Sequence, residues 1–510
     1  MFGKRYASIF AAVALAAGLA AMAQAQVGAP TSSPRPAASS HPSEHPRTAV
    51  SRRLPADSVT KHSVTLPGRT LNFKAMAGTI MLRNASTGDD VAEVAYIAYQ
   101  LDGADVAKRP VTFVFNGGPG AGSAWLQLGA LGPWRLPLTQ GTIAPSASPA
   151  LVANDDTWLD FTDLVFVDPP GTGYSEIVGG EEARKNLYSV RGDIDALAVV
   201  IRRWLADNER LPSPKFIVGE SYGGYRGPRL AQVLATDQGV GISGLVLISP
   251  ALDMSGRSAD DPLTWAIRLP SFAAVAREHN GPVTRAQLAD AERYASGDYL
   301  LDFLRGPRDT AAVARMVDRV SALTGLDPAL VRRMHGRIDK GTFLREFDRA
   351  HGKVGAYYDA TITAYDPSPE SKYDLWLDPV AEGFDPPMAS AMMDLYARRL
   401  GWKIDARYEM LNKDVGRAWD WGHDHNALNA IPALKRMLAL DPNFRVLVVQ
   451  GLTDLQVPYF GTELLLDQIP DYGAPGRVAF KVYGGGHMLY TRDASRKAMR
   501  DDALRLIEGK

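Results

Sequence analysis

The sequence contains no cysteine among its 510 residues. This absence excludes disulfide bonds, thiol catalysis, a lipid-modified N-terminal cysteine and every thiolate metal site. An excess of charge of one sign is also missing, because 56 Lys and Arg residues face 57 Asp and Glu residues and the formal net charge is −1. A balance this close to neutral gives no reason to expect a nucleic acid or an anionic membrane as a partner.

Long hydrophobic runs are scarce, and the one that stands out lies at the N-terminus. Lys4 and Arg5 precede an apolar stretch over residues 7–22, and the small residues of "AQA" follow it. This order is typical of a secretory signal peptide, so we predict a leader over residues 1–25, with a membrane anchor as the alternative. We expect an exported protein, periplasmic or secreted, with no membrane span once the leader is removed.

The segment after the leader has a composition that buries little apolar surface. Residues 26–57 are rich in Pro, Ser and Ala with scattered charge. Such a composition favours disorder, so we predict a flexible linker here.

From residue 58 onward, strand-like runs alternate with helical patterns. The apolar runs in "RPVTFVFNGGPG" and "TDLVFVDPPGTGYS" predict buried strands that end in Gly and Pro loops, and residues 193–209 have helical spacing. Such alternation predicts an α/β fold with a mostly parallel central sheet flanked by helices. Helical stretches then dominate residues 255–430, so we predict one α/β domain over residues 58–254 and 431–510, interrupted by a helical insertion that caps its site.

A glycine-framed serine lies between a predicted strand and a predicted helix. The pentapeptide Gly219-Glu220-Ser221-Tyr222-Gly223 follows the apolar residues "FIV". A G-x-S-x-G sequence in a strand–turn–helix context is typical of a nucleophile elbow, in which the serine is exposed at the end of the sheet. Ser221 is therefore the candidate nucleophile; an ordinary strand-to-helix turn is the alternative.

A serine nucleophile needs a base and a group that orients the base. His487 in "YGGGHML" and Asp454 in "GLTDLQVP" each follow a predicted strand, at the edge where open parallel sheets place their sites. His487 would accept the proton of Ser221, and Asp454 would fix the imidazole. Asp441 and Asp467 compete on sequence alone, but neither follows a strand directly.

Two further sequence features bear on the site. The N–H of Tyr222 and the glycine loop "FNGGPG" (residues 115–120) are candidates for an oxyanion hole, which needs two fixed N–H donors. His423 and His425 in "GHDHN" resemble a metal-binding pair, but a third and a fourth ligand are not evident. The sequence therefore predicts no metal site and no cofactor.

Five motifs in order resemble those of the serine carboxypeptidase family of α/β-hydrolases, as in a bacterial-type member without cysteines. They are "NGGPG", "DPPGTGYS", "GESYGG", the late "D…VP" and "GGHM". The resemblance runs from about residue 60 to the C-terminus and is thin in the helical insertion. It implies an α/β-hydrolase fold and an acid-active exopeptidase that forms an acyl-enzyme and acts on peptides with a free C-terminus.

The resemblance also implies four roles for residues of this chain. Ser221, Asp454 and His487 would form the catalytic triad, and the N–H groups of Gly118 and Tyr222 the oxyanion hole. Asn116 and Glu220 would bind the terminal carboxylate of the substrate, and Met488 would lie near the leaving-group pocket.

The chain departs from the family pattern at two places. Ala121-Gly122-Ser123 stands where the family commonly has a cysteine, and Ala130 stands where a glutamate supports the carboxylate-binding network. The sequence therefore predicts a smaller network. Two alternatives stay open: an esterase, amidase or acyltransferase with the same triad, and a catalytically silent binding protein of this fold.

The acid beside the serine has a physical interpretation. A carboxylate near a substrate carboxylate is repulsive unless one of the two is protonated, and burial favours the neutral acid. A protonated Glu220 would donate a hydrogen bond to the terminal carboxylate of a peptide. We therefore expect peptidase activity to fall as the pH rises, through weaker substrate binding.

Overall fold

The structure is a computed structural model that describes residues 54–138, 141–370, 378–422 and 428–509. The predicted leader, most of the predicted linker and the histidine pair His423 and His425 lie outside the described residues. No helix among the described residues combines the length and the apolar character that crossing a bilayer requires.

The last four residues of the predicted linker are described, and they contact the folded chain. The N–H of Leu54 donates to the Glu93 carboxylate at 2.9 Å. The indole N–H of Trp402 donates to the carbonyl of Pro55 at 3.2 Å. Contacts to the folded chain therefore begin before the first strand.

Fourteen strands occur in the described residues, and ten of them form one sheet. The strands are β1 (Ser58–Leu66), β2 (Arg69–Arg83), β3 (Asp90–Leu101), β4 (Val111–Phe115), β5 (Trp134–Arg135), β6 (Val152–Ala153), β7 (Asp163–Val167), β8 (Glu176–Ile177), β9 (Lys215–Glu220), β10 (Gly244–Ile248), β11 (Lys353–Gly355), β12 (Thr363–Tyr365), β13 (Arg445–Gly451) and β14 (Val478–Tyr483). The pairs β5–β6 and β11–β12 form two small separate sheets.

The strand order in the main sheet is β1-β2-β3-β7-β4-β9-β10-β13-β14, and β8 also pairs with β3. Strands β1, β2 and β3 pair antiparallel, as β3 does with β7, whereas every pair from β7 to β14 is parallel. The predicted mostly parallel central sheet is therefore confirmed, with an antiparallel edge added by the first strands.

Sixteen α-helices lie in the described residues. They are α1 (Ala124–Leu126), α2 (Gly180–Leu187), α3 (Val190–Asp207), α4 (Tyr222–Asp237), α5 (Leu263–Ala266), α6 (Leu269–Glu278), α7 (Ala289–Ser296), α8 (Asp298–Arg305), α9 (Thr310–Thr324), α10 (Pro328–Arg333), α11 (Lys340–Glu346), α12 (Pro379–Asp394), α13 (Lys413–Ala418), α14 (Ile431–Leu440), α15 (Tyr459–Leu466) and α16 (Asp493–Ile507). Single turns of other helical types occupy 127–131, 158–160, 285–288, 349–351, 395–399 and 489–491.

The long helices begin and end at residues suited to those positions. The Ser189 hydroxyl accepts a hydrogen bond from the N–H of Gly192 at the start of α3. The side chain of Asp309 does the same at the start of α9, which ends at Gly325 with φ of 73°. Side-chain oxygens satisfy the free N–H groups of a first helical turn, and glycine adopts the left-handed conformation that ends a helix.

The central parallel strands are buried on both faces, whereas the edge strand β14 is partly exposed. All five residues of β4, β7 and β10 are buried. Neighbouring residues of one strand enter different apolar cores, as Leu247 and Ile248 do in β10. Helices α3, α4 and α14 contribute to the core that contains Leu247, and α12 and α16 to the other. Helices therefore cover the sheet on both sides, which confirms the α/β-hydrolase fold class.

The residues after β10 divide between two environments. Helices α6 to α11 surround a core of their own, which includes Phe272, Val317 and Phe343 and also takes in Tyr459 from α15. Helix α12 instead packs into a core of the main sheet through side chains such as Phe384. The first part of the predicted insertion thus has its own core, whereas the second part belongs to the packing of the sheet.

Candidate active site

Ser221 lies at the sharp turn between β9 and α4. Its φ is 59°, a backbone conformation that residues other than glycine rarely adopt. The turn is held because the N–H of Ser221 donates to the carbonyl of Ile248 at 3.0 Å and the Ser221 carbonyl accepts from Gly224 at 2.9 Å. The serine therefore has the strained strand-to-helix geometry that the sequence predicts for a nucleophile elbow.

The two framing glycines are required by the tightness of this turn. A β-carbon on Gly219 would lie 2.1 Å from the carbonyl oxygen of Gly223. A β-carbon on Gly223 would lie 2.8 Å from the carbonyl oxygen of Phe115, at the end of β4. A side chain at position 219 would therefore open the turn itself, and one at position 223 would push the turn away from the end of β4.

His487 and Asp454 form a buried hydrogen-bonded pair. The Nδ1 atom of His487 lies 2.8 Å from Oδ2 of Asp454. The other carboxylate oxygen of Asp454 accepts from the backbone N–H groups of Gln456 and Val457, each at 2.8 Å. A carboxylate fixed in this way holds Nδ1 as a donor, which leaves Nε2 as the acceptor of the ring.

Burial and the neighbouring charges have opposite effects on the pKa of His487. Burial lowers the pKa of the imidazole, but the charge and hydrogen bond of Asp454, together with the charge of Glu220, outweigh burial and leave the pKa above its ordinary value. Lys340 acts in the opposite direction. An ionised Glu220 is therefore one of the groups that favour protonation of His487.

A residue of the insertion covers the histidine. The N–H of His487 donates to the carbonyl of Tyr358. The Tyr358 ring also packs against the imidazole, with ring centroids 5.3 Å apart and planes inclined by 65°. The same residue thus contacts His487 through both its backbone and its side chain.

Six of the eight predicted site residues line one cavity: Asn116, Gly118, Glu220, Ser221, His487 and Met488. Trp125, Tyr358 and Gln456 line it as well. The two other predicted residues lie behind its wall: Asp454 is fully buried behind His487, and Tyr222 is buried at the start of α4.

The glycine loop after β4 lies directly against the elbow. A β-carbon on Gly117 would lie 2.6 Å from the backbone nitrogen of Tyr222 and 2.7 Å from the carbonyl oxygen of Glu220. Gly118 follows with φ of 101°, in the region that favours glycine. The loop backbone and the N–H of Tyr222 therefore meet beside Ser221, in the arrangement from which an oxyanion hole is built.

The buried Asp168 connects this glycine loop to the loop that follows β7. The Oδ1 atom of Asp168 accepts from the N–H of Ser123 at 2.8 Å and from its hydroxyl at 2.9 Å. Tyr408 donates to the same oxygen at 2.7 Å. A β-carbon on Gly173 would overlap the Asp168 carboxylate. The "DPPGTGYS" motif thus fixes the glycine loop without lining the cavity.

Glu220 is buried beside the nucleophile, with an exposed fraction of 3%. The side-chain amide of Asn116 donates to its Oε2, and the Tyr490 hydroxyl lies 3.0 Å from both carboxylate oxygens. Burial raises the pKa of Glu220 to about 7, while the charge of His487 and the two hydrogen bonds act against that rise. The acid is therefore poised to change its protonation state near neutral pH.

The amide of Asn116 is oriented by its own acceptor contacts. Its Oδ1 accepts from the N–H of Leu126 at 3.1 Å, so its NH₂ group points to Glu220. Its backbone carbonyl accepts from Arg226 at 2.8 Å. Arg226 is in turn paired with the buried Asp193 at 2.8 Å. This chain of contacts links the carboxylate-binding candidates to α3 and α4.

Several residues that contribute to the site were not identified from the sequence, among them Trp125, Tyr358, Gln456 and Tyr490. The loss of an acid at Ala130 predicts a smaller network, but the Tyr490 hydroxyl supplies a donor to Glu220 from a different loop. The position of Tyr490, three residues after His487, is the single sequence signal that points to it. Among the described residues, no group of three or more His, Asp or Glu side chains is arranged to hold a metal ion.

Comparisons with known proteins agree with the first three motifs, which lie within the matched residues. The model of the serine carboxypeptidase family matches residues 67–262. The resemblance to serine carboxypeptidases is therefore confirmed. The matched stretch contains Asn116, Gly118, Glu220 and Ser221 but ends before Asp454 and His487, which the geometry alone brings to the site.

The curated relatives cover a limited part of the chain. A serine carboxypeptidase-like 35 protein of Arabidopsis thaliana is 28% identical over 206 residues, which are 38% of this chain and 40% of that protein. A pheromone-processing carboxypeptidase KEX1 of Coprinopsis cinerea is 27% identical over 173 residues, which are 33% of this chain and 27% of that protein. The matches thus span less than half the length of these relatives.

Among solved structures, the chain is similar to a proline iminopeptidase of Mycobacterium smegmatis. The two are 14% identical with a TM-score of 0.34, and the superposition covers 88% of this chain and 98% of the other.

Proposed function

We propose that this chain is a serine-type carboxypeptidase that releases C-terminal residues from peptides through an acyl-enzyme. The single observation that carries the proposal is the position of Glu220. This acid is buried, is hydrogen-bonded to Asn116, and lines the same cavity as Ser221 and His487. A group that is neutral below about pH 7 and lies next to the nucleophile is suited to receive a peptide's terminal carboxylate.

The first half-reaction forms the acyl-enzyme. The Ser221 hydroxyl attacks the last peptide carbonyl while Nε2 of His487 takes its proton, and Asp454 stabilises the imidazolium through Nδ1. The N–H groups of Gly118 and Tyr222 donate to the oxyanion. The C–N bond then breaks, His487 returns the proton to the departing amine, and the C-terminal residue leaves as a free amino acid near Met488.

The second half-reaction releases the shortened peptide. Water attacks the ester carbonyl while His487 takes one of its protons, and the same two N–H groups stabilise the oxyanion. The ester C–O bond breaks and the proton returns to Ser221. The products are the shortened peptide acid and the regenerated serine, and no other reactant is needed.

Selection of a free C-terminus depends on the protonation of Glu220. The α-carboxyl group of a peptide is ionised above about pH 4. A protonated Glu220 donates a hydrogen bond to it together with Asn116, whereas an ionised Glu220 repels it. Binding should therefore weaken, and KM should rise, as the pH passes through the pKa of Glu220 near 7.

Activity below neutral pH also requires a neutral His487. The charge of ionised Glu220 helps to raise the pKa of His487. When Glu220 is protonated this contribution disappears, so the imidazole stays neutral to lower pH. The active form carries a proton on Glu220 and none on Nε2, so we expect activity to fall on the acid side as His487 takes up a proton and on the alkaline side as Glu220 loses one.

The decisive assay is a pH-resolved measurement of kcat and KM on N-blocked dipeptides with free, amidated or esterified C-termini. We expect the free acids to be preferred, with a KM that rises above about pH 7 because Glu220 ionises there. Equal hydrolysis of free and amidated ends throughout the pH range would instead support an esterase or amidase that uses the same triad.

We further propose that the protein acts outside the cytoplasm. This part of the proposal is supported by the leader pattern over residues 1–25. Separately, Tyr358 of the predicted insertion lines the cavity, so we propose that the insertion forms part of the substrate pocket. N-terminal sequencing of the exported protein tests the first point, because cleavage after Ala25 leaves a new N-terminus at residue 26.

A further inference from the structure

Tyr490 is a buried residue of the loop between β14 and α16. Its side chain is 1% exposed. Its hydroxyl lies 3.0 Å from Oε1 and 3.0 Å from Oε2 of Glu220. A phenol centred between two carboxylate oxygens contacts both at once, so the hydroxyl fixes the position of the carboxylate.

The Tyr490 ring packs against a glycine. A β-carbon on Gly129 would lie 2.8 Å from Cε2 of Tyr490, so the ring rests directly on that glycine. The next residue is the buried Ala130, at the position where the resembling family has a supporting glutamate. The absence of a side chain at position 129 thus leaves the space in which the ring of Tyr490 lies.

We propose that Tyr490 is a positioning residue for Glu220 and sets the upper pH limit for hydrolysis of peptides with a free C-terminus. The proposal rests on the function proposed above. Tyr490 acts through Glu220, whereas Asn116 and Glu220 contact the substrate.

The direction of the effect follows from the hydrogen bond. A hydroxyl donates more strongly to an ionised carboxylate than to the neutral acid, so Tyr490 stabilises the ionised form of Glu220. Its hydrogen bond accordingly counteracts the rise that burial causes in the pKa of Glu220. Without the hydroxyl, Glu220 keeps its proton to higher pH.

Other groups around Glu220 also affect its pKa. His487 lowers and Asp454 raises the pKa of Glu220 through their charges, and the Asn116 amide lowers it through its hydrogen bond. Tyr358 also interacts electrostatically with Glu220. Burial and the charge of Glu220 hold the pKa of Tyr490 well above its ordinary value, so Tyr490 remains a donor throughout the working range.

The test compares Tyr490→Phe with the unmodified protein, using the pH dependence of kcat and KM on an N-blocked dipeptide and on its amide. The ring stays in place and only the hydroxyl is lost. We expect the alkaline rise of KM for the free acid to move upward by about one pH unit, since a hydrogen bond to a charged group contributes about 1.5 kcal/mol. The profile of the amide should stay unchanged.

Two controls separate this effect from a general structural one. Tyr459→Phe removes another buried hydroxyl that donates to a glutamate, Glu292, at 2.8 Å, and should leave the profile where it is. In a Glu220→Gln background, Tyr490→Phe should produce no further shift, because the titrating group is gone.

Distinct outcomes overturn the two proposals. If the unmodified protein prefers free C-termini but Tyr490→Phe leaves the alkaline limit in place or lowers it, the role of Tyr490 alone is wrong. If the unmodified protein shows no preference for a free C-terminus, the carboxypeptidase proposal fails, and the role of Tyr490 fails with it. Should Tyr490→Phe lose turnover, calorimetric binding of the N-blocked dipeptide to Ser221→Ala variants with and without Tyr490→Phe reads the same shift.

Discussion

A β-carbon at Gly117 would lie 2.6 Å from the backbone nitrogen of Tyr222. Two segments about one hundred residues apart in sequence are thus in backbone contact beside Ser221. Gly117→Ala must push the loop away from the N–H of Tyr222, so we expect kcat to fall by about 100-fold or more, as for loss of one oxyanion donor.

The matched control for this change is Gly241→Ala, because a β-carbon there meets no atom within 4 Å. Thermal unfolding of both variants shows whether Gly117→Ala is still folded. A folded Gly117→Ala protein with unchanged kcat would mean that the loop does not take part in the oxyanion hole.

Asp454→Asn should lower kcat by about 10⁴-fold with little change in KM. The amide cannot hold Nδ1 of His487 as a donor, so the imidazole presents the wrong tautomer to Ser221. Asp441→Asn is the control, because Asp441 ends α14 and competed with Asp454 on sequence alone. Steady-state kinetics on one dipeptide decide between them, and an equal loss in both variants would refute the assignment.

A fluorophosphonate probe should label the unmodified protein and fail to label Ser221→Ala. The probe reacts with a serine whose proton is removed by a base, so labelling reports the chemistry and does not depend on the substrate. Mass spectrometry of the labelled peptide identifies the modified residue. A chain that retains its fold but takes up no label would be a silent binding protein.

Glu220→Gln should flatten the alkaline part of the pH profile. Glutamine keeps a hydrogen-bond donor but does not ionise, so KM for free-acid dipeptides should no longer rise through the pKa of about 7 that burial gives Glu220. Glu93→Gln is the matched control, since Glu93 is also a buried glutamate of a strand but binds the N–H of Leu54. Persistence of the rise in Glu220→Gln would assign it to another group.

Gly129→Ala should reproduce part of the effect of Tyr490→Phe. The new methyl group would press on the Tyr490 ring and shift its hydroxyl away from Glu220. We expect a smaller upward shift of the alkaline limit and a loss of about 1–3 kcal/mol in the free energy of unfolding, as for overpacked cores. A loss of stability with no shift would show that the ring adjusts without moving its hydroxyl.

The sequence predicted the residues whose roles depend on local pattern. Ser221 was proposed because glycines frame it between a strand and a helix, and His487 and Asp454 because each follows a predicted strand of a parallel sheet. Asp454 could be separated from Asp441 on the same ground, and its hydrogen bond to His487 agrees with that choice.

The residues that sequence reasoning missed act through contacts between distant segments. Tyr490 reaches Glu220 across 270 positions of the chain, and neither residue carries a pattern that indicates the other. Tyr358 comes from the insertion, where helical spacing indicates helices but not which residue lies over the site. The long helical stretch before α9 is likewise broken at Gly297 into α7 and α8. Tertiary packing decides such details.

The hydrogen bond from the N–H of His487 to the carbonyl of Tyr358 connects the insertion, which covers the site, to the loop that carries the histidine. A change of main-chain path at position 358 would break this hydrogen bond, whereas a change of side chain there would keep it and alter only the ring packing on the imidazole. A replaced side chain at position 358 would therefore change the cavity wall without breaking this hydrogen bond, whereas an insertion or deletion there would break it. The main chain of the insertion is, at this one point, constrained by the histidine that it holds.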